Sequence, residues 1–292
     1  MKNKILNTNI KSISGYKMIF TSLLLMVMGC ETDDTQTIAT FNTLVWEDNF
    51  DVDGAPDPSR WGFDLGDGTE QGIPGWGNNE LQYYTDRQEN VTVQNGFLLI
   101  TAKQEEFNGA LFTSARLTTQ GLFEQAYGRF EARMRLPFGK GYWPAFWLLG
   151  NNCDDNPWPA CGEIDIMENV GDEPTIAFGS VHGPGFSGGD SIGKDYELSE
   201  DRFDTGFHIF GIEWAPDYIN YYVDGDLYQR ITPEDIDEET EGQGQWIFDR
   251  PFYIILNVAI GGDLPGPPNQ ETVFPQTMLV DYVRVYENAN PN

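Results

Sequence analysis

The sequence predicts an all-β protein in which two antiparallel sheets pack as a jelly-roll sandwich. Apolar and polar residues alternate in most of its apolar segments, as they do in half-buried antiparallel strands. Its 32 glycines and 17 prolines supply turns, and amphipathic helical patterns are missing apart from one short turn at residues 233–240. Together these three features favour two packed sheets.

The predicted strands are spread along the chain from Leu44 onward. Asp224 and Gly225 give a hairpin signal between two of them. Glycine- and proline-rich segments at 66–77 and 261–268 are predicted to be long loops, which often carry binding residues on a rigid sandwich. The clearest strand segments are residues 90–102, 127–136, 208–214, 218–228 and 278–286.

The first 30 residues have the order of a secretory signal. Residues 1–17 contain four lysines and no acid, residues 18–28 form an apolar run, and Gly29 precedes Cys30. A positive start, a short apolar core and a small residue before the cut are typical of signal peptides. The run is too short to favour a transmembrane helix. Residues 27–30 resemble a lipobox, which predicts lipidation of Cys30; an ordinary cleaved signal is the alternative.

These signals predict three segments: a lipoprotein signal peptide at 1–30, a tether at 31–43 and one folded domain at 44–288. We expect the protein to cross the inner membrane and to remain attached by its lipid to the outer membrane or cell surface. We expect the domain to be a monomer.

Charge restricts the class of ligand. The chain has 17 basic and 46 acidic residues, and residues 1–30 hold four of the basic and none of the acidic ones, so the remainder carries a net charge of −33. Such a surface repels nucleic acid and acidic polysaccharide. We therefore expect a neutral ligand and no nucleic-acid partner.

Cysteine and histidine are scarce. Cys153 and Cys161 follow the signal segment, and a disulfide between them is compatible with secretion. The two histidines, His182 and His208, form no cluster with zinc-site spacing.

Three acidic residues stand close together in the apolar segment at 163–168. On a regular strand Glu163 and Asp165 share one face, whereas Glu168 points to the other. A β-bulge between Asp165 and Glu168 would bring all three acids to one face, and bulges are frequent beside active sites.

This cluster suits hydrolysis of a glycosidic bond with retention of configuration. That reaction needs a carboxylate nucleophile and a carboxylic acid about 5–5.5 Å apart. Like charges that close together raise one pKa, so that one group stays protonated. The spacing alone leaves a second interpretation open, an acidic edge strand in an acidic protein.

Motifs spread over residues 44–287 resemble those of one enzyme family. They include the acidic segment itself and residues 76–85, 114–119, 141–149, 158–163, 179–182 and 274–286. This set is similar to glycoside hydrolase family 16, and in particular to its laminarinase branch.

The resemblance implies an endo-acting retaining hydrolase of β-1,3-glucan or mixed β-1,3/1,4-glucan, with curved sheets, an open cleft and no catalytic cofactor. Carried over residue by residue, Glu163 is the nucleophile, Glu168 the acid/base, and Asp165 assists the nucleophile. The expected partner is a neutral β-glucan.

The resemblance also implies a set of substrate-binding side chains. Flat indole faces match the apolar face of a glucose ring, although Trp143 and Trp147 also suit core positions. Arg116 and His182 would hydrogen-bond sugars or carboxylates, with a surface ion pair and a packing role as their ordinary alternatives. The predicted set is Asn78, Glu80, Arg116, Trp143, Trp147, Trp158 and His182.

Members of this family often bind one structural calcium away from the cleft. The matching positions are Asn49, Gly96 and Asp281, the first two mainly through backbone carbonyls, and calcium accepts such oxygen ligands. Asn49 departs from the pattern, because a glutamate is common at that position.

Other functions remain open to sequence reasoning. A β-glucan transglycosylase differs only in whether a sugar or water resolves the intermediate, and agarases and carrageenases share the bulged strand. The net charge disfavours sulfated galactans. Non-catalytic β-glucan-binding relatives typically lack the two glutamates that are present here.

Overall fold

Two sheets account for most of residues 40–289, the part of the chain that the computed structural model describes. The predicted signal peptide, Cys30 and most of the tether lie outside this part. Within it, no helix has the length and apolar content needed to span a bilayer. One helix, α1 (Pro233–Glu239), and two 3₁₀ turns (Pro74–Gly77 and Gly188–Asp190) accompany the strands. The strands are β1 (Phe41–Asp48), β2 (Gly62–Phe63), β3 (Gln82–Tyr84), β4 (Val91–Gln94), β5 (Phe97–Phe107), β6 (Ala110–Ser114), β7 (Arg116–Thr118), β8 (Glu124–Gln125), β9 (Gly128–Arg135), β10 (Tyr142–Gly150), β11 (Glu163–Glu168), β12 (Ile176–His182), β13 (Ile192–Glu197), β14 (His208–Ala215), β15 (Tyr218–Val223), β16 (Asp226–Ile231), β17 (Phe252–Ile260) and β18 (Gln276–Asn288).

The larger sheet has the order β16-β15-β14-β9-β18-β5-β6-β3, with β1 also paired to β18 and β4 to β5. The smaller sheet has the order β13-β12-β11-β10-β17-β7-β2, with β8 also paired to β17. Neighbouring strands are antiparallel apart from the parallel pair β3 and β6. The predicted all-β sandwich of antiparallel sheets is therefore confirmed.

The apolar core lies between the two sheets. In β9, Phe130, Ala132 and Met134 are fully buried while the residues between them are polar, which is the alternation of a strand with one face on the core. In β17 all nine residues are buried, because this strand is covered on both faces. The outer face of β17 lies beneath the side chains of the candidate site. Asn257, the one residue of this strand with a side-chain amide, is on that outer face.

The turns form where the sequence predicts them. Asp224 and Gly225 have φ angles of 52° and 88°, which a type I′ hairpin turn requires. The short turn predicted at residues 233–240 is α1. It begins after Thr232, whose hydroxyl accepts from the amide of Asp235 in a capping box.

The domain begins three residues earlier than predicted. β1 starts at Phe41, inside the segment assigned to the tether, because Phe41 pairs with Asn288 at the end of β18. The predicted boundary at Leu44 was therefore wrong. Residues 41–43 have no alternating pattern of their own from which a strand could be predicted. Their strand conformation depends on the partner strand.

The loop between β10 and β11 is closed by a disulfide. Cys153 and Cys161 are bonded, a pairing that the sequence left open, and Cys161 is fully buried. The bond lies immediately before β11, and the loop that it closes carries Trp158. The disulfide therefore restrains the segment that leads into the acidic strand.

Removing this disulfide should destabilise the domain modestly. The two cysteines are separated by 8 positions, and closing so short a loop stabilises a fold by about 2–3 kcal/mol at most. We expect Cys153→Ser with Cys161→Ser to lower the free energy of unfolding by up to this amount in urea titrations. Wild-type protein titrated with a reductant present is the control. An unchanged midpoint in both experiments would mean that the cysteines are unpaired in solution.

Candidate active site

β11 presents its three acids on one face of the smaller sheet. In its register with β12, Asp165 pairs with Ser180 and Glu168 pairs with Phe178. β11 therefore advances three residues while β12 advances two, and the register with β10 contains an irregularity at the same place. The predicted bulge is confirmed.

The apolar residues of β11 require this irregularity. Ile164, Ile166 and Met167 are at most 2% exposed and belong to the core. Because the consecutive residues Ile166 and Met167 both point inward, Glu168 returns to the face that carries Glu163. Burial of apolar area thus fixes the position of the acids.

The middle acid, Asp165, is only 3% exposed and is held by two neighbours. Its Oδ2 accepts a hydrogen bond from Ser180 Oγ at 2.7 Å and lies 3.0 Å from Nε2 of His182. Nδ1 of His182 accepts from the amide of Gly188 at 3.0 Å. The neutral imidazole therefore has its hydrogen on Nε2, from which it donates to Asp165.

These neighbours also shift the pKa of His182. Burial lowers its pKa, but Asp165 and then Glu163 and Glu168 raise it, to about 9. Protonation puts a hydrogen on Nδ1 and so requires the Gly188 amide to move away. In both protonation states Nε2 keeps a hydrogen towards the acids, 3.5 Å from Glu163 Oε1, and this hydrogen stabilises their ionised forms.

Glu163 lies beside the disulfide-closed loop, with 16% of its side chain exposed. Burial, and then the charge of Asp165, raise its pKa to about 8. His182, Arg116 and a hydrogen bond from Trp158 act in the opposite direction. The Trp158 ring lies 6.0 Å from the imidazole ring and is 47% exposed, so part of it is free to contact a ligand.

Glu168 lies beside an indole of β10. Trp143 Nε1 donates to Glu168 Oε1 at 2.8 Å. Burial, and then the charges of Asp165 and Glu163, raise the pKa of Glu168 to about 8. Three carboxyl groups this close retain a shared proton near neutral pH. The site therefore contains a carboxylic acid and a carboxylate on the same face.

The cluster is better suited to proton transfer than to metal binding. Glu163, Asp165 and His182 place one potential ligand atom each within 4.8 Å of one another. However, both imidazole nitrogens are engaged, Nε2 with Asp165 and Nδ1 with the Gly188 amide. A metal would have to displace one of these contacts.

Trp143 and Trp147 lie on the same face of β10 as the acids. Ala145, between them, pairs with Glu168, and both indoles are half-buried and outside the apolar core. The alternative of two core tryptophans is therefore wrong. Gly262 packs against the Trp143 ring with φ 99°, and a Cβ there would lie 3.1 Å from the ring. Only glycine suits this position.

Arg116 is partly buried among aromatic rings. Its guanidinium carbon lies 4.5 Å from the Trp76 ring centre and 4.8 Å from that of Trp147, within cation–π range. Its Nε lies 2.9 Å from Asp64 Oδ2. The ion pair considered for Arg116 thus exists, but it is largely buried, since only 11% of the arginine side chain is exposed.

Asn78 and Glu80 lie at the rim of the same face. Glu80 accepts hydrogen bonds from Asn78 at 3.3 Å, Gln82 at 2.6 Å and Tyr84 at 3.2 Å. Burial raises the pKa of Glu80, and the charge of Arg116 opposes this increase before the three hydrogen bonds do.

Contacts connect all seven predicted substrate-binding residues with the acids or with one another.

Sequence reasoning missed several residues that complete these contacts. Two of them had a signal: Asn257 interrupts the apolar strand β17, and Ser180 precedes His182 by two residues and so shares its face. The missed residues are Asp64, Trp76, Gln82, Tyr84, Ser180, Gly188 and Asn257.

The residues predicted for calcium lie on the larger sheet and at its edge. Asn49 Oδ1 accepts from Arg284 at 2.8 Å, and Asp281 Oδ2 accepts from Arg133. A guanidinium beside each side-chain oxygen opposes a divalent cation, so these side chains fit calcium poorly. The backbone carbonyls of Asn49 and Gly96 stay a prediction, and no catalytic step depends on them.

Comparisons with known proteins agree with this site. The family model of Glycosyl hydrolases family 16 matches residues 78–280. A beta-glucanase from Rhodothermus marinus is 42% identical over 272 residues, which cover 90% of this chain and 92% of the relative. The laminarinase catalytic domain from Thermotoga maritima superimposes with a TM-score of 0.80 at 51% identity, covering 85% of this chain and 99% of that one. The endo-beta-1,3-glucanase from Pyrococcus furiosus has a TM-score of 0.80 at 48% identity, covering 85% and 95%. The fold, the bulged acidic strand and these matches show that the chain belongs to glycosyl hydrolases family 16.

Proposed function

We propose that the protein is an endo-acting retaining β-glucanase that hydrolyses β-1,3-glucan or mixed β-1,3/1,4-glucan. The observation that supports this most strongly is the bulge of β11, which groups Glu163, Asp165 and Glu168 on one sheet face. Relatives described as beta-glucanase, laminarinase and endo-beta-1,3-glucanase point to the substrate.

In the first step, the Glu163 carboxylate attacks the anomeric carbon and forms a covalent glycosyl ester. Glu168, as the carboxylic acid, gives its proton to the glycosidic oxygen while the bond from that oxygen to the anomeric carbon breaks. Burial and neighbouring negative charge raise the pKa of Glu163 and Glu168 alike, so the pair holds a proton at neutral pH. The reactive form is the one in which this proton is on Glu168 and Glu163 is ionised. Asp165 and His182 lie beside Glu163 and orient it.

In the second step, water replaces the sugar that left. Glu168, now ionised, takes a proton from this water, whose oxygen attacks the anomeric carbon and releases Glu163. Two inversions at one carbon give a product with the configuration of the substrate. A sugar hydroxyl in place of water would give transglycosylation.

The surroundings of the acids suit a neutral glucan. Trp143, Trp147 and Trp158 offer indole surface to the apolar faces of sugar rings. Arg116 is neutralised by Asp64, so it offers hydrogen bonds rather than an unpaired charge. An anionic sugar would meet the three carboxyl groups of β11 and a net charge of −33 in the chain without its first 30 residues.

The purified domain should cut laminarin into a ladder of short oligosaccharides, because an endo enzyme binds a chain anywhere along its length. Early products examined by NMR should be β-anomers, and lichenan, agarose and carrageenan serve as comparison substrates. Glucose as the sole early product would indicate an exo enzyme, and α-anomers would exclude retention. Products longer than the substrate would indicate transglycosylation. In the same assay Glu163→Ser should lose turnover by several orders of magnitude yet still bind the glucan, since it removes only the nucleophile.

The pH profile should respond differently to the two indoles that donate to the glutamates. Trp143→Phe removes a hydrogen bond that favours ionised Glu168, so the pKa of the acid rises and the alkaline limb of kcat/KM moves to higher pH. Trp158→Phe removes a bond that favours ionised Glu163, so the acidic limb moves to higher pH instead. Each variant is the control for the other. A uniform loss of activity without movement of either limb would mean that the indoles only contact sugars.

We also propose that the protein is a lipoprotein, with Cys30 as the lipidated residue and the enzyme held at the outer membrane or cell surface. The support comes from the order of signals in the first 30 residues. A lipoprotein cysteine carries several acyl chains, and more than one chain is needed for firm anchoring. An attached endo-glucanase would release its oligosaccharides close to the cell.

Cell fractionation tests the anchor. Wild-type protein should partition with membranes, and Cys30→Ala should abolish lipidation and processing at this position. Surface digestion by an added protease distinguishes the outer face from the periplasm. The anchor proposal fails if the wild-type protein is soluble with an N-terminus beyond Cys30, and the catalytic proposal is unaffected by that result.

A further inference from the structure

A chain of hydrogen bonds joins Trp147 on β10 to Glu80 in the loop before β3. Trp147 Nε1 donates to Asn257 Oδ1 at 2.7 Å, and Asn257 Nδ2 lies 3.1 Å from Tyr84 Oη. Tyr84 Oη in turn lies 3.2 Å from Glu80 Oε2. The two middle residues, Asn257 and Tyr84, are 6% and 0% exposed.

The chemistry of the groups fixes the direction of every bond in this chain. An indole nitrogen only donates, so the amide oxygen of Asn257 must face Trp147 and its NH₂ must face Tyr84. The tyrosine oxygen accepts that bond, and its single hydrogen is then directed to the carboxylate of Glu80. Reversal of any one bond would leave a buried donor or acceptor without a partner.

β17 holds Glu80 through a second path as well. Gln82, which is 1% exposed, donates to Glu80 at 2.6 Å and accepts from the amide of Ile260 at 2.7 Å. β17 is thus connected to the Glu80 carboxylate by two hydrogen-bonded paths. One runs from Asn257 through Tyr84, and the other runs from Ile260 through Gln82. Movement of β17 would therefore move the rim of the cleft.

We propose that Asn257 is a positioning residue for substrate binding, which fixes the indole of Trp147 and, through Tyr84, the carboxylate of Glu80 as one rigid unit. The inference rests on the proposed function, in which Trp147 and Glu80 contact sugar. A buried network with every partner satisfied is rigid. The two groups are then already ordered when the glucan arrives, which reduces the entropy cost of binding.

The competing explanation is that Asn257 merely satisfies its buried neighbours. Asn220 on β15 provides a matched control, because it is 8% exposed and donates to the hydroxyl of Tyr222 at 3.4 Å. It lies on the larger sheet, whereas Asn257 lies on the smaller one with the acids. Substitution of either asparagine removes a buried amide beside a tyrosine.

The test compares Asn257→Leu with Asn220→Leu in steady-state kinetics on laminarin and in thermal unfolding. Asn257→Leu removes the hydrogen bonds to Trp147 and Tyr84, so that Trp147 directly and Glu80 through Tyr84 lose their fixed positions. This loss should raise KM about tenfold or more with kcat within about threefold. Asn220→Leu should leave KM unchanged, because Asn220 lies on the other sheet. Binding of laminarihexaose to Glu163→Ser, with and without Asn257→Leu, measures the same loss in the absence of turnover.

A double-mutant cycle covers the case in which Asn257→Leu does not fold. Tyr84→Phe should raise KM when Glu80 is present and should add less than about twofold to Glu80→Ala, because its effect passes through that carboxylate. Additive effects in the cycle, or equal KM values for the two asparagine variants, overturn the inference while laminarin cleavage by the wild type stands. A wild-type protein that neither binds nor cleaves laminarin overturns the proposed function and this inference together.

Discussion

The position of one extra residue in β11 determines the chemistry of this protein. The core requires Ile164, Ile166 and Met167 to point inward, and a strand with regular alternation cannot bury the consecutive pair and still place Glu168 beside Glu163. The bulge meets both demands. Burial of apolar side chains in the sandwich is therefore also the force that brings the acids together. A change that disturbs the packing of these core residues would also move the acids.

The second constraint is electrostatic. Three carboxyl groups on one face repel one another, and each has at least one donor that limits the repulsion: Trp158 and His182 for Glu163, Ser180 and His182 for Asp165, and Trp143 for Glu168. These donors come from β10, β12 and the disulfide-closed loop. The sheet thus does more than carry the acids, because its neighbouring strands determine how the proton is shared among them.

Much of this arrangement was predictable from the sequence, and the reasons differ between residues. The strands follow from alternation, the bulge from three acids in one apolar segment, and the roles of the acids from the family resemblance. The partners Asp64 and Asn257 were missed because each is remote in sequence from the residue that it contacts. The start of β1 at Phe41 was missed for a related reason, since it depends on pairing with β18. Local patterns do not encode such contacts.

The amide of Gly188 illustrates a different kind of dependence. When His182 is neutral, this amide selects the imidazole tautomer through a main-chain group that every residue except proline possesses. Gly188 has a φ of 58°, which favours glycine, whereas Gly189 and Asp190 of the same turn can change over evolutionary time without altering the protonation pattern of the acids, provided that the path of the chain is kept. Apart from Gly188, conservation in this turn should be found in backbone shape rather than in residue identity, and comparisons of sequence alone would undervalue it.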